Sequence, residues 1–183
     1  MARIILITGG SRSGKSTYAQ KLAESLPGAR AFVATSPATD AEMRERIRRH
    51  RRSRSRSGWH TIEEPVDLAG VLNRADAFDV VLVDCLTLWV SNLMYQAEQD
   101  RTKISESVIS RKCRELIRAC AQRSGHVLFV TNEVGMGIVP DNALARQFRD
   151  LAGRCNQTMA AAADEVMLMT CGLPLRLKKG NRR

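Results

Sequence analysis

Residues Gly9-Gly10-Ser11-Arg12-Ser13-Gly14-Lys15-Ser16 make up a complete G-x-x-x-x-G-K-[ST] pattern. Glycines let a backbone wrap an anion, a lysine reaches outer phosphates, and a serine hydroxyl can ligate Mg²⁺. The apolar run Ile4-Ile5-Leu6-Ile7 precedes the pattern and a helix-compatible stretch follows it. A buried strand then delivers the chain, and the next helix aims its amides at the phosphates. In this reading the amides of Gly10 through Lys15 cradle a nucleoside triphosphate. Asp84 ends a second apolar run, Val80-Val81-Leu82-Val83. A carboxylate there suits Mg²⁺ alongside Ser16, and it also suits an N-cap for the next segment; the two roles are compatible.

His50 stands in a stretch where eight arginines fall between Arg44 and Arg56. Like charges keep an imidazole neutral, and a neutral ring nitrogen can attack phosphorus while arginines neutralise its oxygens. Composition alone favours a plainer role, because the spacing from Met43 and Ile47 puts the ring near an apolar stripe. His126 opens a strand and reads as structural. His60, beside Trp59, reads either way. The glycine-rich stretch from Thr131 to Pro140 follows a buried strand and forms a shaped loop. In it Asn132 and Glu133 are candidates for holding a substrate, with a ligand-free turn as the alternative.

The elements that must position these residues alternate. Apolar runs at Ile4–Thr8, Ala31–Thr35, Val80–Asp84, Val127–Thr131, Val166–Thr170 and Leu173–Leu177 read as strands covered on both faces. Helical spacing appears over 15–26, 40–52, 103–123 and 141–162, with Asp40 capping the second and Asp141 or Asn142 the fourth. Arg52 through Ser57 reads as an exposed loop. Strand–helix alternation implies an α/β fold with a mostly parallel sheet, and ligands gather at the carboxyl ends of such strands.

Length and composition fit one domain spanning 1–183, with 44% hydrophobic and 26% charged residues. No run approaches the roughly 20 apolar residues of a membrane span. The N-terminus lacks a small-residue cleavage site, which argues against a signal peptide; a cytoplasmic protein is the expectation that free thiols support. Five scattered cysteines without a C-x-x-C pair read as free thiols rather than a disulfide framework or zinc site. The net charge of +10 favours anionic partners. An aromatic content of 4% argues against nucleic acid, because it supplies no interleaved stacking platform.

The whole pattern resembles the bifunctional adenosylcobinamide kinase / adenosylcobinamide-phosphate guanylyltransferase family of cobalamin biosynthesis. The resemblance rests on Ile7 through Ser16, on Ala34-Thr35-Ser36, and on the set Glu42-Met43, Arg46-Ile47, His50, Trp59, Thr61 and Glu63. Its most specific stretch runs from Thr131 to Asp141 (TNEVGMGIVPD), continued by Asn142, Leu144-Ala145-Arg146, Phe148-Arg149-Asp150, Ala152-Gly153-Arg154, Asn156-Gln157 and Ala163 through Val166. The resemblance implies a single-domain phosphate-loop NTPase fold with a RecA-like sheet. It implies phosphorylation of adenosylcobinamide by a nucleoside triphosphate. GMP then moves from GTP to adenosylcobinamide phosphate through a covalent GMP–histidine, for which His50 is the matching residue. Lys15 is the other catalytic residue. Nucleotide contacts carry over to Gly9, Gly10, Ser11, Arg12, Ser13, Gly14, Lys15, Ser16, Ala34, Thr35, Ser36, Arg51, Arg52, Ser53, Arg54, Ile62, Glu63 and Asp84. Mg²⁺ falls to Ser16 and Asp84, GTP is the nucleotide with ATP as an alternative phosphoryl donor, and small homo-oligomers such as a trimer are implied. Two departures stand out: Arg-Ser repeats replace the family's Arg-Pro pair before Trp59, and Arg49 stands where some relatives carry a second histidine. The rival readings are a small-molecule kinase without nucleotidyl transfer, and a nucleic-acid-binding ATPase built on the arginine run.

Overall fold

A computed structural model describes residues 1–36 and 58–180. The expected helix over 40–52 and the Arg-Ser loop lie outside the described residues. The remaining elements run β1 (Arg3–Gly9), α1 (Lys15–Glu24), β2 (Arg30–Ala34), β3 (Trp59–Glu63), α2 (Leu68–Arg74), β4 (Val80–Asp84), α3 (Leu86–Gln99), α4 (Glu106–Gln122), β5 (His126–Val130), α5 (Ala143–Ala162), β6 (Glu165–Thr170) and β7 (Leu173–Lys178). The strands form one sheet in the order β3-β2-β4-β5-β1-β6-β7, parallel throughout except for β7. This is the mostly parallel α/β architecture of a phosphate-loop NTPase.

The continuous apolar strands follow from burial on both faces. Along β1, Ile4 and Leu6 join one core with residues of α2, α3, α4 and α5; Ile5 and Ile7 join the other, beneath α1. On that second face α1 presents Ala19 and Ala23, one turn apart and fully buried, so its backbone packs close to the sheet. Trp59 closes this layer. Its ring meets Phe32 edge to face at 6.1 Å, and its Nε1 donates to Glu24 Oε1 at 3.0 Å.

Helix ends obey local chemistry. Ser105 caps α4 through Val108 N, and Asn142, rather than Asp141, caps α5 by accepting from Ala145 N at 3.0 Å. Three elements had no place in the sequence reading: β3, α2 and α3. Helix α2 is only seven residues, capped by Asp67, and α3 opens with an apolar run that periodicity does not separate from a strand.

The last strand corrects the expectation of two-sided cover. All six residues of β7 are exposed, and it pairs antiparallel with β6 at the sheet edge. Pro174 removes one ladder donor, and Arg176 and Lys178 place charge on the strand, both devices that blunt an edge. Arg176 and Arg3 both pair with Glu165, at 3.0 and 2.8 Å, on the strand behind it.

At the amino edge of the sheet Asp79 joins three strand starts. Its Oδ2 accepts from Ala29 N, and its carbonyl accepts from His126 N, both at 2.8 Å. Gly125 lies against that carbonyl with φ +82°; a Cβ there would sit 2.1 Å from Asp79 O. Gly172 has nearly the same φ, +80°, in open space. Gly172→Ala will therefore cost only the left-handed strain, about 1–2 kcal/mol. Gly125→Ala will cost roughly 1–3 kcal/mol more, from overpacking. Urea unfolding of the two variants measures the difference directly.

Candidate functional site: the carboxyl edge of the sheet

The sheet register brings Glu63, Ala34, Asp84, Val130, Ile7 and Met167 into one row near the carboxyl ends of their strands. Most sequence-selected residues fall on or just past this row. The loop after β1 is shaped by three left-handed residues, Gly9 (φ +148°), Arg12 (φ +57°) and Gly14 (φ +92°). At Gly9 a side chain is barred by space as well as by φ, since a Cβ would lie 2.3 Å from Met169 O on β6. Gly14 is the N-cap of α1 without any side-chain cap, and the first turn holds no acidic residue. The amides at that helix end are left for an external anion.

Lys15 is the centre of the loop. Its side chain is only 7% exposed, and its Nζ donates to Gly10 O at 2.6 Å. Burial lowers its pKa from the ordinary lysine value, while the charge of Asp84 works in the opposite direction. A desolvated ammonium satisfied by one carbonyl is poised to exchange that carbonyl for phosphate oxygen. Thr8 Oγ1 and Ser13 Oγ are buried there without hydrogen-bond partners. Ser16 is exposed at the first turn of α1.

Asp84 ends β4, with β5 between it and β1. That places it about 10 Å from β1, at two strand spacings. The Asp84–Cys85 peptide is cis. Thr35 is fully buried; its Oγ1 accepts from Cys85 N at 2.7 Å and donates to Cys85 O at 2.8 Å. Its hydroxyl thus fixes the exit from β4. Ala34 and Ser36 flank it, and Ile62 and Glu63 end the next strand out. His50, Arg51, Arg52, Ser53 and Arg54 lie outside the described residues. His60 stacks on Phe78 at 5.1 Å and His126 opens β5. Both stand in the amino-terminal halves of their strands, away from the phosphate loop.

The loop after β5 is tied to the phosphate loop and to α5. Glu133 N donates to Gly9 O at 3.0 Å, and the Glu133 carboxylate accepts from Gly135 N within its own turn. Behind it lies a polar network that the sequence reading missed. Thr131 Oγ1 donates to Asn156 Oδ1 at 2.7 Å, Asn156 Nδ2 donates to Asn132 O at 3.0 Å, and Asn132 N donates to Thr87 Oγ1 at 2.6 Å. The available signal was Asn156 itself, an amide among the buried Leu151, Ala152, Cys155 and Met159 of α5. A separate groove of about 1020 Å³ runs between α3 and the start of α5, past Met94, Tyr95 and Phe148; none of the described residues named from the sequence as nucleotide candidates lines it.

Because the network is buried, removing one hydroxyl strands its partner. Thr131→Val will destabilise the protein by about 1–3 kcal/mol. Thr131→Ser, which loses only a methyl, will cost about 1 kcal/mol. Denaturant titration of both separates the hydrogen bond from the packing.

Residues 5–177 match the family model described as cobinamide kinase / cobinamide phosphate guanyltransferase. The bifunctional adenosylcobalamin biosynthesis protein CobU of Salmonella typhimurium is 42% identical over 183 residues, covering 96% of this chain and 99% of that protein. Its namesake in Escherichia coli is 41% identical over 182 residues, with the same coverage of each chain. The bifunctional adenosylcobalamin biosynthesis protein CobP of Pseudomonas aeruginosa is 38% identical over 174 residues, 94% of this chain and 96% of that one. With near-complete coverage on both sides and a phosphate loop built as the motif demands, the chain belongs to the cobinamide kinase / cobinamide phosphate guanyltransferase family of bifunctional enzymes.

Proposed function

We propose that this enzyme phosphorylates adenosylcobinamide with a nucleoside triphosphate, and then moves GMP from GTP to the adenosylcobinamide phosphate so formed. The observation that carries the reading is Lys15: a buried ammonium held by a single carbonyl inside a glycine loop, at the uncapped start of α1. In the first reaction the amides from Gly10 to Lys15 hold the outer phosphates, and Lys15 leaves Gly10 O for the transferring group. Gly9, Ser11, Arg12, Ser13 and Gly14 shape that cradle. Ala34, Thr35, Ser36, Ile62 and Glu63 form the flank of the nucleotide site at the ends of β2 and β3.

The donor set suits Mg²⁺. Ser16 and Asp84 offer a hydroxyl and a carboxylate at the same edge, and hard oxygen donors few in number are what this ion takes beside phosphates. Among the described residues no cluster of three or more His, Cys, Asp or Glu stands ready for a softer metal. Once bound, Mg²⁺ would neutralise charge on the phosphate oxygens. Either GTP or ATP satisfies the phosphate contacts of the first step.

In the second reaction His50 is the nucleophile. This assignment rests on the family resemblance. Its neutral ring nitrogen attacks the α-phosphorus of GTP, a P–N bond forms, and the P–O bond to pyrophosphate breaks. A phosphate oxygen of adenosylcobinamide phosphate then attacks the same phosphorus and the P–N bond breaks, giving adenosylcobinamide-GDP and freeing the imidazole. Arg51, Arg52, Ser53 and Arg54 follow the nucleophile directly, and the arginines supply positive charge for the phosphates. No described helix is long and apolar enough to cross a membrane. The working unit in this reading is a small homo-oligomer, such as a trimer.

GTP labelled at the α-phosphorus tests the second step. Wild-type protein will retain acid-labile label after denaturation, and His50→Ala will retain none while still transferring the γ-phosphoryl group to adenosylcobinamide. Label held by the variant would remove His50 from the role. Transfer of γ-label without any protein-bound α-label in the wild type would leave a kinase alone.

A further inference from the structure

One cation near the carboxyl edge has no assigned work. Arg149 lies in the first third of α5 and is half-buried. Its Nη1 is shielded from solvent and finds no hydrogen-bond partner. A shielded guanidinium N–H without an acceptor is costly, and native structures rarely carry one unless something else completes it. Among the described residues the other shielded arginine nitrogen without a partner, on Arg123, is different: that guanidinium already donates to the carbonyls of Ala75 and Phe78 and seals a turn at the amino edge.

The position of Arg149 follows from helix geometry. Asn156, pinned to Thr131 and Asn132, fixes where α5 passes the end of β5. Arg149 precedes it by seven residues, close to two full turns, so it lies on nearly the same face and about 10 Å farther beyond the sheet. The flank of α5 it occupies is the one that reaches β7 lower down, where Lys178 Nζ donates to Ala160 O and Ala161 O. The opposite flank meets α4, through Cys155 against Cys113. Arg149 thus lies on the flank of α5 turned from α4 toward β7, and the turn between β6 and β7 is tied to the phosphate loop by Gly172 N donating to Ser13 O. The loop from Thr131 to Pro140 links α5 and the phosphate loop, held to Gly9 O by Glu133 N and to α5 by Arg146, which donates to Pro140 O and Asp141 O.

We infer that Arg149 binds a phosphoryl oxyanion of a substrate, approaching it from α5 while Lys15 approaches from the phosphate loop. The inference rests on the functional reading above for the identity of the substrates. The oxyanion has two sources there: the triphosphate of GTP, or the phosphomonoester of the corrinoid acceptor. A planar fork of N–H donors serves either one.

Arg149→Gln, Arg149→Lys and wild-type protein are compared by GTP titration in Mg²⁺, by the KM for adenosylcobinamide phosphate, and by thermal midpoint. Arg149→Gln will weaken one of the two constants by roughly 10- to 100-fold, the range for a lost hydrogen bond to a charged group. The midpoint will hold or rise, because a shielded guanidinium N–H without an acceptor has been removed. Arg149→Lys will restore only part of the loss. A weakened GTP constant assigns the oxyanion to the nucleotide; an unchanged GTP constant with a raised KM assigns it to the acceptor. Both constants within twofold of wild type overturn the inference. So does a fall in both that tracks a lowered midpoint and is fully restored by lysine. If Arg149→Gln does not fold, Arg149→Lys carries the same comparison, with a partial loss at unchanged midpoint expected. If the wild type transfers no GMP to the corrinoid, the functional reading fails, and titrations with GTP and inorganic phosphate still decide the role of Arg149.

Discussion

A single desolvated ammonium organises this molecule. Lys15 is buried at the mouth of a helix, its charge answered by one backbone carbonyl within the loop and by the field of Asp84 from β4. Burying a cation is unfavourable without full pairing. The arrangement persists because the loop around it has little freedom. Gly9 is pressed against Met169 O, Gly172 N donates to Ser13 O at 3.1 Å, and Glu133 N donates to Gly9 O. Two segments distant in sequence, the end of β6 with its turn and the loop after β5, clamp the loop, which stays open at the face where phosphate would complete the charge.

Strand order converts that clamp into a site. With β5 between β1 and β4, the lysine and the carboxylate face each other across an intervening strand. Strands β1 and β4 themselves stand about 10 Å apart, and the end of β5 lies between them. The same insertion makes the end of β5 the floor of the site. Thr131, Asn132, Thr87 and Asn156 hold that floor by buried and part-buried hydrogen bonds, which rigidify a position that a simple loop would leave loose. Loop residues that contact substrate gain precision from such support.

Much of this was legible in the chain. The glycine spacing and the strand before it announce the loop between β1 and α1, and Asp84 marks the end of β4. The apolar runs mark six of the seven strands; in five of them the run reflects burial in the sheet, while β7 carries its leucines at an exposed edge. Other features were hidden for physical reasons. Trp59-His60-Thr61-Ile62-Glu63 has a half-exposed, mixed pattern, which edge strands share with loops. Helix α3 begins in a run of apolar residues that shows no period. The exposure of β7 depends on its lying last in the sheet, a property of topology that Leu173, Leu175 and Leu177 cannot announce. The family pattern names Thr35 without saying what its hydroxyl does; the fold shows it bonded to both backbone groups of Cys85. Arg149 and Asn156 belonged to the quoted family pattern without any role, because only the folded helix shows which polar atoms are left shielded.

The most direct test of the central claim is a structure with a non-hydrolysable GTP analogue and Mg²⁺. The account predicts phosphate oxygens on the amides of Gly10 through Lys15, with Lys15 Nζ moved from Gly10 O onto a phosphate. An analogue bound elsewhere, with Lys15 still on Gly10 O, would contradict it.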